Sequence, residues 1–173
     1  MMKTIAFAGA LLLSTAAYAQ TAAPASATGA QLSAGDEKFI NTIGSAGLSE
    51  VQEAQLAQQK SDSPKVKEFA QRMITDHTAN NQQLAAVAQR VGYTAPTSPD
   101  AKDQKQLDHL QKLSGAKFDR AYMSGQVRDH EMVLKLLQKE VSDGQNADVK
   151  AFAQQTIPVI QQHLDLAKSD TTS

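Results

Sequence analysis

The chain has 173 residues, no cysteine and no tryptophan, and 17 basic against 18 acidic residues, for a formal net charge of −1. With no cysteine, no disulfide can hold the fold, so packing must do it. The basic residues are scattered rather than clustered, which argues against nucleic acid or an anionic membrane surface as a partner.

In chain order, Met1-Met2-Lys3 is followed by an apolar run from Ile5 to Leu13 and by Ala17-Tyr18-Ala19 before Gln20. A charged start, a short apolar stretch and small residues in an A-x-A arrangement are the pattern of a secretory signal peptide, here residues 1–19. The run is too short to span a bilayer, no later stretch is apolar enough to do so, and no cysteine offers a lipid anchor. The expectation is a periplasmic or secreted protein, cut near Ala19-Gln20. Residues 20–32, rich in Thr, Ala, Ser and Pro, read as a disordered linker. One domain follows over 33–169, with a short tail at 170–173.

Within that domain, apolar residues recur at three- and four-residue spacing over four long stretches, and strand patterns are absent. The first helix runs from about Ser33 to Lys60, with Ser33 and Asp36 as a capping-box variant. Ser63 and Pro64 open a second helix that ends at Gly92. A Pro-containing loop and a short amphipathic helix with Leu107, Leu110 and Leu113 come next. A third long helix runs from about Ala116 to Val141. The fourth, from about Ala147 to Lys168, has Asn146 as N-cap and Pro158 opposite its apolar face. Val66-Lys67-Glu68-Phe69-Ala70-Gln71 is echoed by Val149-Lys150-Ala151-Phe152-Ala153-Gln154. This repeat pairs the helices as two hairpins. The reading is all-α: a ferritin-like up-and-down four-helix bundle built from two helical hairpins, with a short extra helix between helices 2 and 3.

A helix turns about 100° per residue, so each side chain can be placed against the apolar stripe. Glu50 projects near the middle of the first stripe, and Glu53 toward an edge. His77 falls in the centre of the second. On the third, Gln126 lies inside the stripe with Asp129 and His130 on its two flanks, and either could face inward. His163 lies beside the fourth stripe, while His109 is at no special position and reads as surface. A buried carboxylate and imidazole are costly unless they satisfy each other or bind something. Two readings follow. In one, Glu50 accepts from His77, and from Tyr122 or His163, in a network that fixes the bundle's register. In the other, Glu50, His77, Asp129, His130 and His163 are ligands for a divalent transition metal such as Zn, Mn, Fe or Cu. The Glu-x-x-His spacing of di-iron bundles is missing, since Ile74 and Val127 stand three residues before His77 and His130. Met73, one turn before His77, is a thioether donor at packing spacing. No nucleophile constellation and no phosphate-cradling glycine loop is present.

Several segments carry a resemblance: Val66 through His77 with its closing Thr75-Asp76-His77, Gly115-Ala116-Lys117-Phe118-Asp119 with Tyr122, Val127-Arg128-Asp129-His130, and Ile157-Pro158 with His163-Leu164. From about Asp36 to Ala167 the chain resembles the exported bacterial family called domain of unknown function 4142. That resemblance implies a ferritin-like bundle in the bacterial envelope. It singles out Glu50, His77, Phe118, Asp119, Tyr122, Asp129, His130 and His163 as motif residues, and it supplies no reaction. The expected function is a non-enzymatic binding or envelope-stress component. A metal-binding or metal-dependent redox protein is the alternative. A third class, a partner that docks a helix on another envelope protein, would leave an exposed apolar strip, for which Leu48 and Leu56 off the first stripe are the only hint.

Overall fold

The computed structural model describes residues 32–171, and these hold five helices and no strand. The expected signal segment and nearly all of the expected linker lie outside the described residues, as do the last two residues. The helices are α1 (Ala34–Lys60), α2 (Pro64–Arg90), α3 (Ala101–Gln111), α4 (Gly115–Asp143) and α5 (Ala147–Thr171).

Most of the helix ends have a local chemical cause. Ser33 Oγ accepts from Asp36 N at 3.1 Å and Asp36 Oδ2 accepts from Ser33 N at 2.8 Å, so a shorter carboxylate completes the capping box at α1. Ser63 caps α2 ahead of Pro64, and Gly92, with φ of +74°, takes the left-handed conformation that ends the helix. Asp100 Oδ1 accepts from Lys102 N and Asp103 N at 2.8 and 2.9 Å and opens α3. Asn146 Oδ1 does the same for α5, accepting from Asp148 N at 3.0 Å and Val149 N at 3.3 Å. Pro158 is exposed, and α5 continues through it.

Helices α1 and α2 form one hairpin and α4 and α5 the other; α2 also packs on α5, α1 on α4, and α3 lies over α1 and α4. Two apolar clusters show the directions. One joins Phe39, Ile40 and Ile43 at the start of α1 to the end of α2, the end of α4 and the start of α5. The other joins Ala54 and Ala57 at the end of α1 to the start of α2, the start of α4 and Ala167 near the end of α5. Every neighbouring pair among the four long helices is therefore antiparallel. Strict alternation along the chain, as an up-and-down bundle has it, holds only inside each hairpin. The segment from 91 to 114 must travel the length of the bundle, so α2 and α4 run parallel across the diagonal, a connection with one long crossover. The six-residue repeat plays one packing role twice: Val66, Phe69 and Ala70 are buried in one cluster, and Val149, Phe152 and Ala153 in the other.

Polar contacts pin both ends. Asp36 is fully buried, and its Oδ1 accepts from Gln145 N at 3.0 Å and Asn146 N at 3.4 Å, tying the start of α1 to the turn between α4 and α5. Burial alone would raise its pKa, but hydrogen bonds from Ser33 and Gln145 outweigh it and hold the carboxyl at about 2. At the other end Lys60 Nζ donates to Leu113 O at 2.9 Å and to Gln111 O, fastening the end of α3 to α1. Because Asp36 serves two helices and Ser33 one, Asp36→Ala is expected to lose about 2–4 kcal/mol of stability and Ser33→Ala about 1 kcal/mol. Urea unfolding of the two variants checks this, and equal losses would contradict the long-range role of Asp36.

Candidate metal centre

Between the two apolar clusters lies a polar layer to which each long helix contributes from its middle: Glu50 on α1, His77 on α2, His130 on α4 and His163 on α5. The three histidines are 5%, 1% and 0% exposed in chain order, and one ligand nitrogen from each lies within 4.8 Å of the other two. Their ring centroids form a nearly equilateral triangle, with separations of 5.6 Å (His77–His130), 5.3 Å (His77–His163) and 5.4 Å (His130–His163).

The tautomers are set from outside the triangle. His130 Nδ1 is 2.9 Å from the Gln126 carbonyl, which can only accept, so Nδ1 carries the proton and Nε2 keeps its lone pair. His163 Nε2 is 2.9 Å from Asp76 Oδ2, so Nε2–H donates there and the lone pair is left on Nδ1. His130 Nε2, His163 Nδ1 and both nitrogens of His77 are buried without a hydrogen-bond partner. A backbone carbonyl and a carboxylate on the far side of an imidazole are the supports that orient metal-ligating histidines. Burial disfavours the imidazolium form; neighbouring rings add repulsion at His77 and His130, and Arg72 does so at His163. His77 is held well below its usual pKa, His130 is brought down to about 4, and His163 is lowered despite the opposing pull of Asp76. All three rings are thus neutral near pH 7, the state that binds metal.

Carboxylates crowd the α1–α4 side. Glu50 is 6% exposed; its Oε1 is 3.9 Å from His130 Nδ1, beyond hydrogen-bond range, and its Oε2 has no partner. Glu53, 3% exposed, accepts from Ser49 Oγ at 3.2 Å and from Gln106 Nε2 and Gln126 Nε2, each at 3.4 Å. Gln106 Nε2 also donates to Asp129 Oδ2 at 2.7 Å. Burial, reinforced by the charges of Glu53 and Asp129, pushes Glu50 well above the usual carboxylate range. Burial and Asp129 push Glu53 up to about 7.

The structure decides between the two flanks of α4: His130 turns inward, while Asp129 is half-buried and engages Gln106. The expected bond from His77 to Glu50 is not made. Glu50 faces His130 instead, and the buried Tyr122 hydroxyl also lacks a partner. Met73 is fully buried in the apolar cluster with Phe69 and Tyr122. Phe118 stacks on Tyr122 at 6.0 Å, and Asp119 stays half-buried outside the layer. Leu48 and Leu56 are half-buried, and the single large apolar side chain exposed among the described residues is Met132, so no apolar strip remains. Sequence reasoning placed Glu53 at an edge, whereas it is buried. It assigned nothing to Asp76, although an acid directly before His77 was the available signal, and nothing to Gln106.

These pKa values give opposite pH dependences for the two kinds of group. Below its usual 6.5, a histidine in the unfolded chain takes up a proton that folded His130 refuses down to about 4, so this residue lowers stability as pH falls through that window. Folded Glu53 keeps its proton to about 7, whereas the unfolded carboxyl loses it near 4.5. Its contribution is full below 4.5 and is lost as pH rises to about 7. Metal-free His130→Gln should therefore gain on the wild type as pH falls from 6.5 to 4. Glu53→Gln should gain as pH rises from 4.5 to 7, each by an amount on the order of 1–3 kcal/mol. Urea unfolding at a series of pH values reads both differences, and flat curves would contradict the burial of these groups.

No protein of curated function matches the sequence significantly. Solved structures share the fold at low identity. A DUF305 fragment from Deinococcus radiodurans aligns with a TM-score of 0.72 and 12% identity over 82% of this chain and 98% of that one. CopM in its Cu(I)-bound form aligns at 0.65 and 19% identity over 78% of this chain and 93% of its own. A conserved hypothetical protein from Mycobacterium tuberculosis aligns at 0.63 and 14% over 80% and 92%. At these identities the likeness is one of fold. The sequence profile of the domain of unknown function DUF4142 matches residues 21–169, and the chain belongs to that family.

Proposed function

We propose that this chain is an exported, non-enzymatic metal-binding protein that holds a copper-like transition-metal ion on His77, His130 and His163. The observation that carries the reading is the triangle of rings whose inward nitrogens have no partner. With metal–nitrogen bonds of about 2.0–2.1 Å, three imidazoles aimed at one ion have centroids about 5.2–5.5 Å apart, from tetrahedral to trigonal angles. The observed separations are 5.3–5.6 Å. A purely structural polar layer would be expected to satisfy its own donors and acceptors. Here four imidazole nitrogens and Glu50 Oε2 are unpartnered.

The donor set narrows the metal. Three neutral imidazoles suit copper, zinc, iron or nickel, and they bring no charge to offset that of the ion. A buried monovalent ion costs less than a divalent one, which favours Cu(I) and its analogue Ag(I). CopM, which shares the fold, has solved structures with silver, Cu(I) and Cu(II) bound, and these metals are the first to test. Export is supported by the signal-peptide pattern of Met1–Ala19. A binding role, rather than a redox enzyme, is supported by the near-complete burial of the rings. The cavity beside them measures about 10 Å³, room for about one water-sized guest and too little for a substrate.

Anaerobic titration of the mature chain with Cu(I) and Ag(I) should show one ion per chain. At a hundred times Kd the ion should stabilise the fold by about 2.7 kcal/mol. His77→Leu removes two unpartnered nitrogens. It is expected to stabilise the metal-free protein by about 1–3 kcal/mol while abolishing the metal-induced shift. A wild type unmoved by both metals, or a Cu(I) or Ag(I) shift that persists in His77→Leu, would overturn the assignment.

A further inference from the structure

Glu50 lines two cavities. On one side it borders the small space beside His77 and His130; on the other it lines a solvent-open pocket of about 560 Å³ between α1, α3 and α4. Glu53, Asp103 and Asp129 line that second pocket as well. We propose that this pocket is a second cation position, made of oxygen donors from Glu53 and Asp129, on the route by which an ion reaches the histidines past Glu50.

Three observations carry it. First, Gln106 Nε2 sits between the two carboxylates, 2.7 Å from Asp129 Oδ2 and 3.4 Å from Glu53 Oε2. An amide NH₂ between two acids is a weak substitute for a cation. Turned about its last bond, the same amide would present its oxygen as a third neutral ligand beside the two carboxylates. Second, Glu50 at the inner wall is 6% exposed and its Oε2 is unpartnered, an acceptor buried without a donor. Third, charge is graded by depth. Lys102, Lys105 and Arg128 line the pocket but are exposed, with Arg128 donating to the Ser124 carbonyl, while Glu50 and Glu53 are buried. An ion there would relieve the repulsion among Glu50, Glu53 and Asp129. The opposite face, between α2 and α5, offers less: Arg72 lines its pocket, and Asp76 there is already committed to His163. Oxygen donors hold a hard or borderline ion such as Mn(II) firmly and a soft ion only loosely, so a soft ion is attracted by the carboxylates and passes on to the histidines, which retain it.

The route rests on the histidines being a metal site; the outer position does not, and the test separates them. Free Mn(II), followed by its electron paramagnetic resonance signal, is titrated into the wild type, His77→Leu and Glu53→Gln/Asp129→Asn, with circular dichroism confirming each fold. One Mn(II) per chain is expected in the first two, with affinity weakened about tenfold or more in the third. No Mn(II) binding by the wild type, equal affinity in the carboxylate variant, or loss in His77→Leu would overturn the position. For the route, stopped-flow loading of Ag(I) is expected to slow about tenfold in the carboxylate variant with little change in final affinity. An unchanged loading rate would overturn the route. A wild type that binds Mn(II) but no Ag(I) or Cu(I) would refute the histidine assignment and the route together while leaving the outer position standing.

Discussion

Each imidazole that enters the middle of this bundle leaves water behind and recovers at most one hydrogen bond inside. His77 recovers none, while His130 and His163 each recover one, on the side facing away from the triangle. An unsatisfied buried polar atom costs about 1–3 kcal/mol, and a domain of this size has only about 5–15 kcal/mol of net stability. Several such atoms in one layer set the conditions for everything around them. Two apolar clusters, one at each end, must be well enough packed to hold the four helices together across the polar layer. Phe118, Tyr122, Ile40, Leu84 and Leu137 among their members are all at most 1% exposed.

The same constraint explains the polar fastenings at the ends. Three rings converge only if α2, α4 and α5 are in register, and a slip of one helical turn would move a ring by about 5.4 Å and take it out of the layer. Asp36 fixes the α4–α5 turn against α1, and Lys60 fixes the crossover segment near the other end. Ser45 adds a hold at mid-height, accepting from Asp100 N at 2.8 Å and donating to Asp103 Oδ2 at 2.5 Å, so that α3 is fastened at both of its ends. The crossover thereby becomes part of the candidate site, because it delivers Gln106 to the carboxylates of α1 and α4.

Much of this architecture was legible in the sequence because helices write their burial into a short period. Ser33, Ser63, Asn146 and Gly92 marked boundaries, and the stripe angles put Glu50 and His77 inside. What was not legible depends on distances between elements. Asp129 and His130 are adjacent and so lie about 100° apart, one on each flank of the α4 stripe; only the position of α5 decides which of them points at the core. Likewise Asp76 cannot serve its neighbour His77, yet it reaches His163 on the adjoining helix. The direction of α4 relative to α2 was hidden as well, since periodicity carries no information on whether a connection turns back or runs along the bundle.

Function follows from which atoms remain uncommitted once the fold has used what it needs. In this layer Gln126 works in two directions: its backbone carbonyl sets the His130 tautomer while its side-chain NH₂ reaches Glu53, so one residue couples the imidazole side to the carboxylate side. Asp76 plays the corresponding part for His163, with its side chain 33% exposed to water. Under the proposed function, its carboxylate lies on the far side of His163 from the ion and next to the ligating ring. Neutral donors inside, oriented by a carbonyl and a carboxylate at the margin, let an ion's charge be balanced from outside the layer without placing an anion among the rings. Such an arrangement suits an ion that is held rather than one that must turn over.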